Sequence, residues 1–153
     1  MYRNLKILLE NYGSKEPLYF GSKEDKDKWF KWLKKLKPEI HADGSVSTDK
    51  TVKMYREKLT RLPFNFNSVK GDFNCVLNNL TSLEGAPKFV GGSFSCFGNE
   101  LTSLEGAPEV IEGEFDSDQF TDEEYRKFVR ERRIKKKLDK ELDPEFDIDL
   151  KDF

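Results

Sequence analysis

Residues 73–93 read FNCVLNNLTSLEGAPKFVGGS, and residues 94–114 read FSCFGNELTSLEGAPEVIEGE. Laid one over the other, they agree at twelve of twenty-one positions, including an unbroken LTSLEGAP at 80–87 and again at 101–108. Chance does not supply such a match, so the chain repeats itself, and a fixed period of 21 residues indicates stacked coils. The same register runs upstream. It places Val52, Met54, Leu59, Leu62, Val69 and Gly71 on the positions of Phe73, Cys75, Leu80, Leu83, Val90 and Gly92. Downstream it continues through Phe115 and Ser117.

Each unit reads FxCxxNxLxxL, the skeleton of a leucine-rich repeat with Phe and Cys in the first two apolar slots. The alternation of Phe73 with Cys75 and of Phe94 with Cys96 predicts a short strand with one face on the core, and Leu80, Leu83, Leu101 and Leu104 fill the turn behind it. Asn78 and Asn99 fall where the coil bends and no ladder partner is at hand, so they are expected inside, bonded to backbone groups. Gly85, Pro87, Gly91, Gly92, Gly106 and Pro108 supply the turns that close each coil. The fold expected is α+β: a short leucine-rich-repeat-like β-solenoid of about 21-residue coils with a small parallel sheet, capped by helices at both ends.

The repeated LTSLEGAP, with the lead-in Ile40-His41-Ala42-Asp43-Gly44-Ser45-Val46 and the coil Leu59-Thr60-Arg61-Leu62-Pro63-Phe64, resembles a family of short leucine-rich-repeat-like proteins encoded by tailed bacteriophages. The likeness spans residues 40–142. It implies a solenoid without a generally assigned activity. More distantly, the NxLTSL stretch is similar to the repeats of secreted bacterial effector ligases, but nothing in this chain corresponds to their large catalytic domain and its reactive cysteine.

A short stack exposes an apolar face at each end, and atypical terminal units must cover it. Residues 1–38 are read as a helical N-terminal cap: a first helix near 2–11 carrying Leu5, Leu8 and Leu9, a break at 13–17, then a second helix. That second helix starts at Ser22 and places Trp29, Trp32, Leu33 and Leu36 at helical spacing before Pro38 ends it. Trp29, Phe30 and Trp32 span more than half the helix, so at least one is expected to stay exposed. Residues 39–120 are the repeats. Residues 121–142 form a capping helix, opened by Thr121 with Glu124 in a capping-box arrangement and carrying Tyr125, Phe128, Val129, Arg132 and Leu138. Residues 143–153 are an acidic tail. All belong to one structural domain.

The 153 residues carry a formal net charge of −2, yet the charge is sorted into blocks. Residues 1–37 carry +5, 71–120 carry −8 and 121–142 carry +3. No apolar run is long enough for a membrane span or a secretory signal, which points to a soluble cytoplasmic protein, in the host cell if a phage encodes it. Two cysteines form no disulfide framework or CxxC motif. His41 is the single histidine, Gly91-Gly92 makes no phosphate-binding loop, and Glu84 and Glu105 stack as a solvated ladder. Cys75 and Cys96 read as small core residues with no further soft ligand beside them. The chain is therefore expected to be no enzyme and to need no cofactor or metal.

Binding is what remains, through outward strand positions that line up coil after coil. The first outward column is Lys53, Asn74, Ser95, Asp116; the next is Tyr55, Val76, Phe97, Asp118. Tyr55, Val76, Leu77 and Phe97 are apolar where the core gains nothing from them, and with acidic Glu100, Asp116 and Asp118 they resemble an interface core with a charged rim. Packing beneath a terminal segment is the competing reading. The sequence thus points to a protein-protein interaction protein that binds a bacterial host protein, one with a basic surface suiting the acidic coils. The alternative is a nucleic-acid-binding regulator gripping phosphates through Arg126, Arg130, Arg133, Lys136 and Lys137. The acidic tail and coils nearby disfavour it. Oligomeric state is open, because a second copy could cover the last coil.

Overall fold

A computed structural model of the chain describes residues 23–142. The expected first helix near 2–11, its break at 13–17, the Ser22 cap and the acidic tail 143–153 lie outside the described residues. Within them the order is helix α1 (Lys23–Lys35), strands β1 (Glu39–Ile40), β2 (Val46–Thr48), β3 (Val52–Lys53), β4 (Phe66–Val69), β5 (Phe73–Asn74), β6 (Phe89–Val90), β7 (Phe94–Ser95), β8 (Val110–Ile111) and β9 (Phe115–Asp116), then helix α2 (Asp122–Glu141).

The 21-residue period becomes a β-solenoid with two parallel sheets. One sheet runs β3-β5-β7-β9, pairing Val52 with Phe73, Phe73 with Phe94 and Phe94 with Phe115. The other runs β1-β2-β4-β6-β8, with β1 added antiparallel at its edge. The alternation at Phe73 and Cys75 announces only the first strand of each coil; the second, at Phe89–Val90, follows the glycine-proline turn. At that turn Gly85 and Gly106 adopt φ of 90° and 84°, where an L-residue is strained. A Cβ on Gly106 would also lie 2.5 Å from the carbonyl carbon of Leu83 in the coil below.

Stacking puts like on like. Phe73, Phe94 and Phe115 form parallel stacks with centroids 5.5 and 6.1 Å apart. The aromatic column continues at both ends. Tyr125 of α2 stacks on Phe115 at 4.6 Å, while Phe66 and Phe64 carry it toward Phe30 and Trp32 of α1. Leu80, Leu83, Leu101 and Leu104 are buried beside this column.

Asn78 and Asn99 do what the bend demands. The Asn78 amide donates to the carbonyls of Met54, Cys75 and Val76, and its oxygen accepts from the backbone of Glu57 and Leu59. Asn99 repeats this one coil on, donating to Cys75 and Cys96 and accepting from Leu80. Each buried asparagine thereby ties its own coil to the preceding one.

Both caps form. Trp29, Phe30 and Leu33 of α1 and Leu36 just beyond it are buried and Trp32 is half-buried, so, contrary to expectation, none of the three aromatics stays exposed: the first coil covers the stripe. The helix ends with Lys37 in the left-handed region, φ 47°, ahead of Pro38. Its last carbonyls accept from the Thr48 hydroxyl and the Lys50 ammonium. In α2, Thr121 and Glu124 form the expected capping box. Tyr125 and Val129 are buried and Phe128 is half-buried, but Leu138 is 51% exposed and lies with Ile134 and Leu142 on the outer face. No helix among the described residues is long and apolar enough to cross a membrane.

Candidate protein-contact ridge

The in-register sheet of β3, β5, β7 and β9 places every residue over its equivalent 21 positions away, about 4.8 Å apart. Beyond the strand ends the chains stay laddered, with the Arg56 and Leu77 amides donating to the carbonyls of Val76 and Phe97. That continuity brings Tyr55, Val76 and Phe97 into one column and Arg56, Leu77 and Gly98 into the next.

Tyr55 is 53% exposed, Phe97 48% and Leu77 43%, and Val76 is half-buried between the two rings. The competing reading, packing of a terminal segment over them, finds no such cover among the described residues, since α1 covers Phe64 at one end and α2 covers Phe115 at the other. Lys53, Arg56 and Lys58 border the ridge on the first coil. Glu100, Asp116 and Asp118 border it on the last two and are exposed, Asp116 accepting a bond from the Ser95 hydroxyl.

The backbone beneath the ridge is unusual. Arg56, Leu77 and Gly98 have φ of 56°, 56° and 70°. The chain turns left-handed there to swing the next residue, Asn78 or Asn99, inward. Only the third coil uses glycine. Leu77 holds its side chain in a conformation costing a non-glycine residue about 1 kcal/mol, and leaves that side chain in solvent. A Cβ on Gly98 would lie 2.6 Å from Leu77 Cδ2, so the bare glycine is the floor on which Leu77 rests. The Gly98 position signals this conformation in the sequence; at Arg56 and Leu77 nothing does.

Two of the five residues of the alternative nucleic-acid surface reach the solenoid, and a third pairs within α2. Arg133 donates to the Glu109 carbonyl, Lys136 pairs with the Glu109 carboxylate at 2.5 Å, and Arg126 pairs with Asp122. With Arg132 donating to the Ala107 carbonyl and the Tyr125 hydroxyl to that of Pro108, α2 satisfies three successive carbonyls at the end of the stack. That capping by side chains is a role the sequence reading missed. Arg130 and Lys137 are exposed.

Other chemistry is sparse. His41 Nε2 lies 2.7 Å from Ser47 Oγ and 3.5 Å from the Asn67 amide, while Asp43 is bonded to Ser45, whose hydroxyl holds its carboxyl below the usual range. Burial pushes the Cys75 thiol well up and that of Cys96 to about 12, leaving both protonated and unreactive at neutral pH. Among the described residues no group of three or more His, Cys, Asp or Glu could hold a metal ion. No family model, curated protein or solved structure matches the chain.

Proposed function

We propose that this chain is a non-enzymatic binding protein that engages a bacterial host protein through the Tyr55-Val76-Leu77-Phe97 ridge and blocks or modulates it. The LTSLEGAP resemblance supports a phage origin, and with it action in the host cytoplasm. One observation carries the reading: Leu77 sits exposed in a left-handed conformation where its side chain adds nothing to the core. The left-handed turn itself serves the inward asparagine and recurs at Arg56 and Gly98; an exposed leucine there in place of glycine, beside exposed aromatics, is what a contact surface explains. The exposed carboxylates of Glu100, Asp116 and Asp118 favour a partner with a basic surface and speed encounter with it.

The test is affinity capture from bacterial lysate with identification of the bound protein. The wild-type chain should retain one protein that the combined variant Phe97→Ala, Leu77→Gly retains at least about tenfold less well, as expected for losing hot-spot side chains. Equal retention by the two would remove the ridge from the binding surface. Capture of nucleic acid in place of protein, lost on substituting Arg130 and Lys137, would support the alternative reading of α2.

A further inference from the structure

Along the solenoid axis the ridge face changes character in a fixed order. The first coil presents Lys53, Arg56 and Lys58, all exposed, while Glu57 beside them is paired with Lys28 of α1. The middle coils present Val76, Leu77 and Phe97, bordered by uncharged Asn74, Asn79 and Ser95. The last presents Asp116 and Asp118, with Glu100 one coil before. None of Lys53, Arg56, Lys58, Glu100 or Asp118 forms a salt bridge with a described residue. A face ordered basic, apolar, acidic complements its own reverse.

We propose that a second copy of the chain occupies the ridge, face to face and with its solenoid axis reversed; this rests on the reading of the ridge as a contact surface and names an occupant for it. The two-fold axis lies between the faces, parallel to the strands, and passes between the second and third coils. That operation sets Lys53 opposite Asp116 of the second copy, and Arg56 and Lys58 beside its Asp118. It sets Val76 opposite Phe97, and brings the two Leu77 side chains, each resting on its own chain's Gly98, together at the axis. An isologous contact repeats each pair twice, so both ends of the interface carry opposite charges. Four strands span only about 14 Å. The buried area is therefore at the small end for protein pairs, and the dimer is weak and dissociates in salt. It shields the ridge until a host protein displaces the second copy.

Sedimentation velocity on the full chain, from about 1 to 500 μM, tests this, since contacts of this size belong to transient pairs. The expected result is a monomer-dimer equilibrium in that window, shifted toward monomer by added salt. Lys53→Asp and Asp116→Lys should each raise the dissociation constant roughly tenfold, and the two together should return it to within about threefold of wild type. Circular dichroism checks that each variant is folded. A chain monomeric throughout, or charge reversals without mutual rescue, overturns the second copy as occupant. So does a dimer that survives Phe97→Ala, Leu77→Gly. A monomeric chain whose host capture still depends on Phe97 and Leu77 leaves the contact-surface reading standing and discards only the dimer.

Discussion

The amide of Asn78 faces three carbonyl oxygens while its own oxygen receives two backbone amides, all in a buried bend. Asn78→Ala should therefore cost about 2–4 kcal/mol in urea unfolding, because it orphans buried backbone groups on two coils. Asn78→Asp should rescue none of it, since a carboxylate has no donors to offer the carbonyls. Leu77 behaves oppositely. Leu77→Gly should leave stability unchanged or raise it by up to about 1 kcal/mol, relieving the left-handed backbone, while it weakens ridge binding. Gly98→Ala should destabilise, both through its φ of 70° and through the collision with Leu77. The thiols of Cys75 and Cys96, held protonated by burial, should react with a thiol reagent only as the protein unfolds, so labelling and unfolding rates should coincide.

Among the elements, α2 performs the more specialised job. Its Arg133 satisfies the Glu109 carbonyl, whose inner-coil equivalent at Lys88 meets the next coil's Glu109 amide, while Tyr125 and Arg132 satisfy those of Pro108 and Ala107. Tyr125→Phe should cost about 1 kcal/mol, the net worth of one such bond. The Lys136 ammonium holds the Glu109 carboxyl below its usual range. A carboxyl whose pKa falls on folding stabilises the fold above its unfolded value of about 4.3 and loses that contribution as pH falls through the folded value. Lys136→Met should thus lower the melting temperature slightly at neutral pH, and the difference from wild type should close in acid. The capping box, the coil period and the inward asparagines were legible in the sequence because each depends on residues close in the chain or equivalent in the repeat. The carbonyl caps were not, since they depend on where the helix axis comes to lie over the last coil, and a row of arginines reads equally well as solvated charge. The same is true of Leu138, expected to pack and found 51% exposed.

At the scale of the molecule, the aromatic column from Trp32 through Phe64, Phe66, Phe73, Phe94 and Phe115 to Tyr125 joins both caps to the coils. Solenoids gain stability from each neighbour interface in turn, so losing a cap removes the term that starts the series. Leu33, fully buried in α1, anchors that end. Leu33→Ala should cost about 2–5 kcal/mol in denaturant unfolding and broaden the transition as the first coil frays ahead of the rest. The ridge was visible in the sequence as outward apolar positions, and the sheet register brings those positions together as expected. Its left-handed floor was not visible, because an arginine and a leucine occupy two of the three equivalent positions.

The strict 21-residue register also makes the molecule a ruler that can be lengthened one mark at a time. A duplicate of residues 73–93 inserted after position 93 would give the added phenylalanine, asparagine and turn glycine equivalent to Phe73, Asn78 and Gly85 a like neighbour above and below, and both caps would meet the faces they meet now. The extended chain would grow by a single strand spacing, about 4.8 Å, and gain one more aliphatic step on its contact face. The midpoint of that face would then fall on a coil instead of between two, so any partner that reads the spacing of its charged ends would register the change as a half-step slip.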